Sequence, residues 1–210
     1  EENNSYNKKR NLIIRTYGLT ENGSSVCLEI TGFQPYFMLK LPDFFKKSHV
    51  KDLVSQIKEK IYRKWKSRSS EVHYQVVQMK KLYYYDGNKE YYFLKIIFDS
   101  ESARYTALKV LVPKSSEDIS PSEIKIQKSF PMWIKNKKYK LLVYETRQSS
   151  IIRFLHISGI KPCGIISVDV KNLEPSWTQT TCQITKTVEW KNIIKSDEEW
   201  IPPFRVSPFD

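Results

Sequence analysis

Between Val50 and Trp65 the apolar residues return every three or four positions: Val50, Leu53, Val54, Ile57, Ile61 and Trp65. That period is helical and requires one buried face. The runs on either side follow a different rule. Tyr36 to Leu41, Tyr74 to Tyr84 and Tyr91 to Phe98 are rich in aromatic and β-branched residues, the composition of strands. Asp86 to Lys89, "DGNK", joins the last two as a tight turn. Ser100 to Val112 returns to helical spacing, with Ala103, Ala107, Leu108 and Leu111 on one face and Ser100 placed to cap the first turn.

The middle of the chain therefore reads strand, helix, strand, strand, helix, most of a ferredoxin/RRM-like α/β unit. Strand signals flank it on both sides. Asn11 to Tyr17 and Ser25 to Thr31 are separated by a turn containing Asn22-Gly23, a pair that tolerates positive φ. After the unit, Pro113 to Pro121 reads as loop and Ile124 to Tyr139 as a poorly periodic basic segment. Lys140 to Thr146 reads as a strand, Ser149 to Ile157 as a short helix ended by Gly159, and Cys163 to Val170 and Thr181 to Trp190 as strands. The expected class is α+β. An OB-like β-barrel is built from both ends of the chain (10–37 plus 140–205), with the α/β unit (38–139) inserted in it. Ile201 to Pro203 reads as a linker, and 204–210 as an apolar run opening a further domain.

The net charge of +12 directs attention to nucleic acid, an acidic membrane surface or an acidic partner. Abundant Lys, Ile, Asn and Tyr also fit an AT-rich coding genome, which explains part of the lysine excess. Cys27, Cys163 and Cys182 are odd in number and widely spaced. They give no disulfide framework, so a reducing, intracellular setting is expected. No apolar run is long enough to span a bilayer.

Catalytic signals are sparse. His49, His73 and His156 stand at no metal-ligand spacing, and neither a Gly-rich phosphate loop nor a nucleophile elbow is present. This chain by itself does not read as an enzyme. Two basic stretches remain. The helical region carries Lys46, Lys47, Lys51, Lys58, Lys60, Arg63, Lys64, Lys66 and Arg68 on its polar side, which reads first as a solvated face. The segment Lys125 to Lys140, "KIQKSFPMWIKNKKYK", holds six lysines and no acid, interleaved with Phe130, Trp133 and Tyr139. Lysines neutralise phosphates while exposed rings stack on unpaired bases. The candidate nucleic-acid-binding set is Lys125, Lys128, Phe130, Trp133, Lys135, Lys137, Lys138 and Lys140; the alternative is a loop whose rings anchor it to the core. "YYFLKIIF", Tyr91 to Phe98, alternates like an RNA-stacking strand but lacks the full motif, and core packing accounts for it better.

Three collinear stretches carry a family resemblance. "RTYGLTENGSSVCLEITGFQPYF", Arg15 to Phe37, resembles the start of family B DNA polymerases of the delta type, through Gly18, Thr20, Gly23, Ser25, Val26, Ile30, Gly32, Phe33, Pro35, Tyr36 and Phe37. "VYETRQSSIIRFLHISGIKPC" is similar to a second family segment through Tyr144, Glu145, Arg153, Phe154, Gly159, Ile160 and Cys163, with Arg147 where the family has Asn. The last, from Cys182 to Asp210, matches at Gln183, Val188, Trp190, Ile193, Trp200, Pro203, Arg205, Val206 and Phe209, with Pro208 where the family has Ser.

The resemblance implies an N-terminal, non-catalytic domain of a replicative DNA polymerase; the lysine- and asparagine-rich composition and the divergent motifs point to a large DNA virus or an AT-rich protist as its source, with the nucleus or a cytoplasmic viral replication site as its setting. It implies contact with single-stranded template DNA, packing on the protein's own exonuclease and polymerase domains, and a processivity factor as a further partner. Asp210 would be the first metal-binding carboxylate if the exonuclease domain follows, with Mg2+ implied for the full-length enzyme. Pro35 and Tyr36 match a template-base (uracil) pocket of archaeal members. Two competing readings are a stand-alone single-stranded nucleic-acid-binding module and a purely structural scaffold.

Overall fold

A computed structural model describes residues 11–45, 48–65, 72–81, 86–111, 128–134 and 137–198. In chain order the elements are β1 (Ile14–Leu19), β2 (Ser25–Thr31), β3 (Tyr36–Lys40), α1 (Ser48–Trp65), β4 (Val72–Lys80), β5 (Glu90–Phe98), α2 (Glu101–Leu111), β6 (Lys128–Ile134), β7 (Lys137–Tyr144), α3 (Ser150–Ser158), β8 (Ile166–Val168), β9 (Glu174–Pro175), β10 (Ile184–Glu189) and β11 (Ile193–Lys195). They divide into two compact units. One is Gln34–Gln148; the other joins Asn11–Phe33 to the chain from Ser149 on.

The first unit is a five-stranded sheet in the order β4-β5-β3-β7-β6, antiparallel at each pairing. α1 connects β3 to β4 across the intervening β5, and the chain from β5 through α2 goes on to β6 at the far edge, past β3 and β7, before β7 returns beside β3. Both helices bury their apolar stripes against one face. Val50, Leu53, Ile57 and Ile61 of α1 and Ala103, Ala107 and Leu111 of α2 share a core with Phe37, Leu39, Leu94, Ile96, Phe98 and Val143 of the strands. Removing a side chain such as Ile57 from this core costs about 2–5 kcal/mol. Ser100 caps α2 by accepting the Ala103 N–H at 3.1 Å.

The segment read as aperiodic contains a strand, β6, and β7 begins at Lys137 rather than Lys140. Pro131 lies within β6, and proline is tolerated there because β6 is an edge strand. The outer edge is partly satisfied from α1. The Gln56 amide donates to the Trp133 carbonyl at 2.8 Å and accepts from the Trp133 N–H at 3.4 Å. An edge occupied in this way is a poorer template for a second chain.

The second unit holds a four-stranded sheet, β1-β2-β10-β9, and a two-stranded sheet, β11-β8. β10 runs parallel to β2. Ile14, Leu28, Ile30, Phe33, Phe154 and Val188 form its core. Phe33 sits edge-on to Phe154 and Trp190, with centroids 5.6 and 5.5 Å away. Gly32 beside it has φ +81, and a Cβ there would lie 3.1 Å from the Glu189 side chain. Ser149 caps α3 and Gly159 ends it in the left-handed region. Cys163 to Val170 read as one strand, but only Ile166–Val168 pairs; Lys161 to Gly164 closes a turn through a 3.0 Å hydrogen bond.

Glu29 of β2 is buried, and three groups satisfy it: Ser176 Oγ at 2.5 Å, Thr178 Oγ1 at 2.6 Å and Arg15 Nε at 2.9 Å. Thr180 and Thr185 hydroxyls 2.7 Å apart, and Gln183 bonded to the Ser25 backbone at 2.8 Å, fasten the same strap further along. The hydrogen bonds from Ser176 and Thr178, ahead of that from Arg15, hold the Glu29 carboxyl down at about 2, against 4.5 ordinarily. A carboxyl whose folded pKa lies below its unfolded value stabilises fully above the unfolded pKa, and loses that contribution as pH falls toward the folded one. Glu29→Gln is therefore expected to cost about 2–3 kcal/mol near neutral pH. In thermal melts the gap to the wild type should close between pH 4.5 and about 2.

Candidate nucleic-acid interface

Alternation along the strands separates two faces of the five-stranded sheet. Phe37, Leu39, Leu94 and Ile96 point to the helices. Tyr36, Met38, Tyr91 and Phe93 form a second cluster on the face opposite α1 and α2, joined by Val77, Ile97 and Tyr144. These four are buried. Lysine side chains lie over two of the rings: Lys40 Nζ is 3.7 Å from the Tyr91 centroid and Lys95 Nζ 4.0 Å from that of Tyr36.

The register brings further cations to one end of that face. Lys40 pairs with Phe93 and Lys80 with Glu90, so the C-terminal ends of β3 and β4 meet the start of β5. β7 runs antiparallel to β3 from the pair Met38↔Tyr144, which brings its opening residues, Lys138 and Lys140, toward the same end. Trp133 stands directly opposite Lys138. Lys138 and Lys140 are exposed, and Trp133 is 56% exposed. Lys40, Lys81, Lys89, Lys138 and Lys140 thus share one end of the sheet with one open indole.

Two aspartates offset part of this charge. Lys81 is 2.8 Å from Asp86 and Lys89 is 3.4 Å from Asp43. Tyr91 donates its hydroxyl to Asp86 in a short hydrogen bond. The Lys81 hydrogen bond, then that of Tyr91, hold the Asp86 carboxyl below its ordinary range. Burial first, and repulsion from Lys81 next, push the Lys40 ammonium below the usual lysine value.

Of the residues expected from the sequence to bind nucleic acid, Trp133, Lys138 and Lys140 come together on the β6–β7 hairpin. Lys128, Phe130 and Lys137 belong to the backbone of the same two strands. Lys125, Lys135 and Asp210 lie outside the described residues. Pro35 stands in the turn before β3, its carbonyl accepting the Phe98 N–H at 2.9 Å, and Tyr36 is buried. On α1, Lys51, Lys58 and Arg63 are exposed, with Arg63 paired to Glu59 at 2.5 Å. Lys40, Lys81 and Lys89 escaped the sequence reading because they are far apart along the chain. Among the described residues no three His, Cys, Asp or Glu side chains gather to hold a metal ion. No helix among them is long and apolar enough to cross a membrane.

Trp133 should contribute little to folding. Trp133→Ala is expected to change stability by less than about 0.5 kcal/mol, whereas Leu94→Ala, in the helix-facing core, should cost about 2–5 kcal/mol. Denaturant titrations of both variants check this.

Residues 141–210 match the sequence model described as DNA polymerase family B, exonuclease domain. The match begins within β7. The chain is 28% identical over 210 residues to a DNA polymerase of Acanthamoeba polyphaga mimivirus, covering 94% of this chain and 11% of the relative. It is 26% identical to a Pyramimonas orientalis virus DNA polymerase, with 94% and 15% covered. It is also 26% identical to the DNA polymerase delta catalytic subunit of Caenorhabditis elegans, with 94% and 19% covered. The chain thus spans a fifth or less of the length of these relatives. Its fold is similar to part of the family B DNA polymerase from the hyperthermophilic archaeon Pyrobaculum calidifontis: TM-score 0.52, 18% identity, 91% of this chain and 19% of that one. Sequence and fold together relate this chain to a region of the family B DNA polymerases, with residues 141–210 falling under their exonuclease-domain model.

Proposed function

We propose that this chain is the non-catalytic N-terminal part of a delta-like family B DNA polymerase, and that the basic end of the sheet face opposite α1 and α2 holds single-stranded template DNA. The observation that carries the reading is the placement of Lys40, Lys81, Lys89, Lys138 and Lys140 toward one end of the five-stranded sheet, on the face opposite α1 and α2, with Trp133 exposed on the edge strand. Lysines that neutralise phosphates supply affinity without sequence preference, and an open ring supplies a place for an unpaired base. Tyr91 and Tyr36 are buried beneath lysine side chains, so stacking falls to Trp133.

In this proposal the first unit is ferredoxin/RRM-like, and the second unit is the OB-like part of the domain. In this reading synthesis and the catalytic carboxylates of proofreading lie for the most part in further regions of the full-length enzyme, and residues 141–210, which match the exonuclease-domain model, contribute its opening segment. Asp210 would be a ligand for Mg2+ there. The described residues hold no carboxylate cluster that fits such an ion, and no chemical step is assigned to this chain.

A scaffold role has its own observation. On the second unit Trp177 is 90% exposed, Val170 80%, Tyr17 66% and Ile194 62%. Apolar surface of this kind suits packing against neighbouring domains.

Fluorescence anisotropy of the 210-residue chain with labelled oligo(dT), across a salt series, separates the two. The template reading predicts Kd in the micromolar range or tighter at low salt, with the logarithm of affinity falling by about 0.7 per phosphate contact for each decade of salt. Trp133→Ala should weaken binding by about 1–3 kcal/mol, and Lys138→Gln with Lys140→Gln should flatten the salt slope. Absence of binding at low salt would leave the scaffold reading alone.

A further inference from the structure

We propose that Lys40, Lys81 and Lys89 dock a single backbone phosphate of the bound strand above the Tyr91 ring, a point contact that rests on the single-strand reading of this face. Three ammonium groups from separate parts of the chain converge there. Their Nζ atoms lie 3.7, 5.1 and 4.9 Å from the ring centroid. Tyr91 is 6% exposed, so its ring is a floor under the lysines and not a stacking platform.

The charges specify the ligand. Three lysines face two aspartates, Asp86 and Asp43, which leaves one positive charge. A phosphodiester carries one negative charge and balances the cluster; a dianionic phosphate monoester over-compensates it. The surplus sits at Lys40. Among the described residues Lys40 forms no ion pair, while Lys81 and Lys89 each have one. Lys40 is also half-buried, and burial together with Lys81 disfavours its charged form. An anion at this point favours the charged form and so offsets both penalties. The Lys89–Asp43 pair is 3.4 Å long and exposed on both sides, so Lys89 is free to turn to a phosphate at little cost.

The test is oligo(dT) binding by the 210-residue chain and its variants over a salt series. Lys40→Gln should weaken binding about fivefold at low salt and make the log–log salt slope shallower by about 0.7, the loss of one phosphate contact on a single strand. Lys40→Arg should retain most of the affinity. Asp86→Asn removes a competing negative charge and should tighten binding by about two- to fivefold, a gain that a misfolded variant cannot mimic. If Lys40→Gln and Asp86→Asn both bind with the wild-type affinity and slope while the Lys138/Lys140 double variant is weakened, the docking point is wrong and the single-strand surface stands. If the wild-type chain does not bind at all, both fall.

Discussion

A β-strand points alternate side chains to opposite sides, and the five-stranded sheet of the first unit spends both sides differently. Leu39, Leu94, Ile96 and Phe98 are committed to α1 and α2 and carry the core. Slipping a strand by one residue would turn this set outward, so the register is held by helix burial. With that register held, Tyr36, Lys40, Tyr91, Phe93 and Lys95 must face the other way. The basic, aromatic face is thus a consequence of the core.

Charge is unevenly distributed on that face. Toward the middle, rings pack on one another, as Phe93 does against Tyr144 with centroids 5.3 Å apart. Toward one end, lysines from β3, β7 and the β4–β5 turn collect with Asp43 and Asp86 as the partial counterweight. An exposed pair such as Lys89–Asp43 is worth little by itself. A cluster with one unmatched cation is different, because an incoming anion gains from every member at once. The second unit treats its buried charge oppositely. Glu29 is fully matched by Arg15, Ser176 and Thr178, and it serves to hold a strap of chain against the sheet.

Much of the first unit was legible because α1, β5 and α2 have strong periodicity, and Asp86 to Lys89 and Ser100 mark their boundaries. β6 was not, because Pro131 and the surrounding lysines break the alternation that an edge strand still satisfies by pairing. Trp133, Lys138 and Lys140 were found as neighbours in one basic segment. Lys40, Lys81 and Lys89 could not be found that way. Only the pairing of β3, β4 and β5 brings positions 40, 81 and 89 to one ring. The parallel pairing of β10 with β2 is equally silent in the sequence, since nothing local links Ile184 to Val26.

The most direct test of the central claim is a map of backbone and indole N–H chemical shifts of the chain on titration with oligo(dT). The account predicts changes at Lys40, Lys81, Lys89, Lys138 and Lys140 and at the Trp133 indole, with the exposed side of α1 (Lys51, Lys58 and Arg63) unmoved. Changes centred on α1 or on the second unit, with the face opposite α1 and α2 silent, would contradict it.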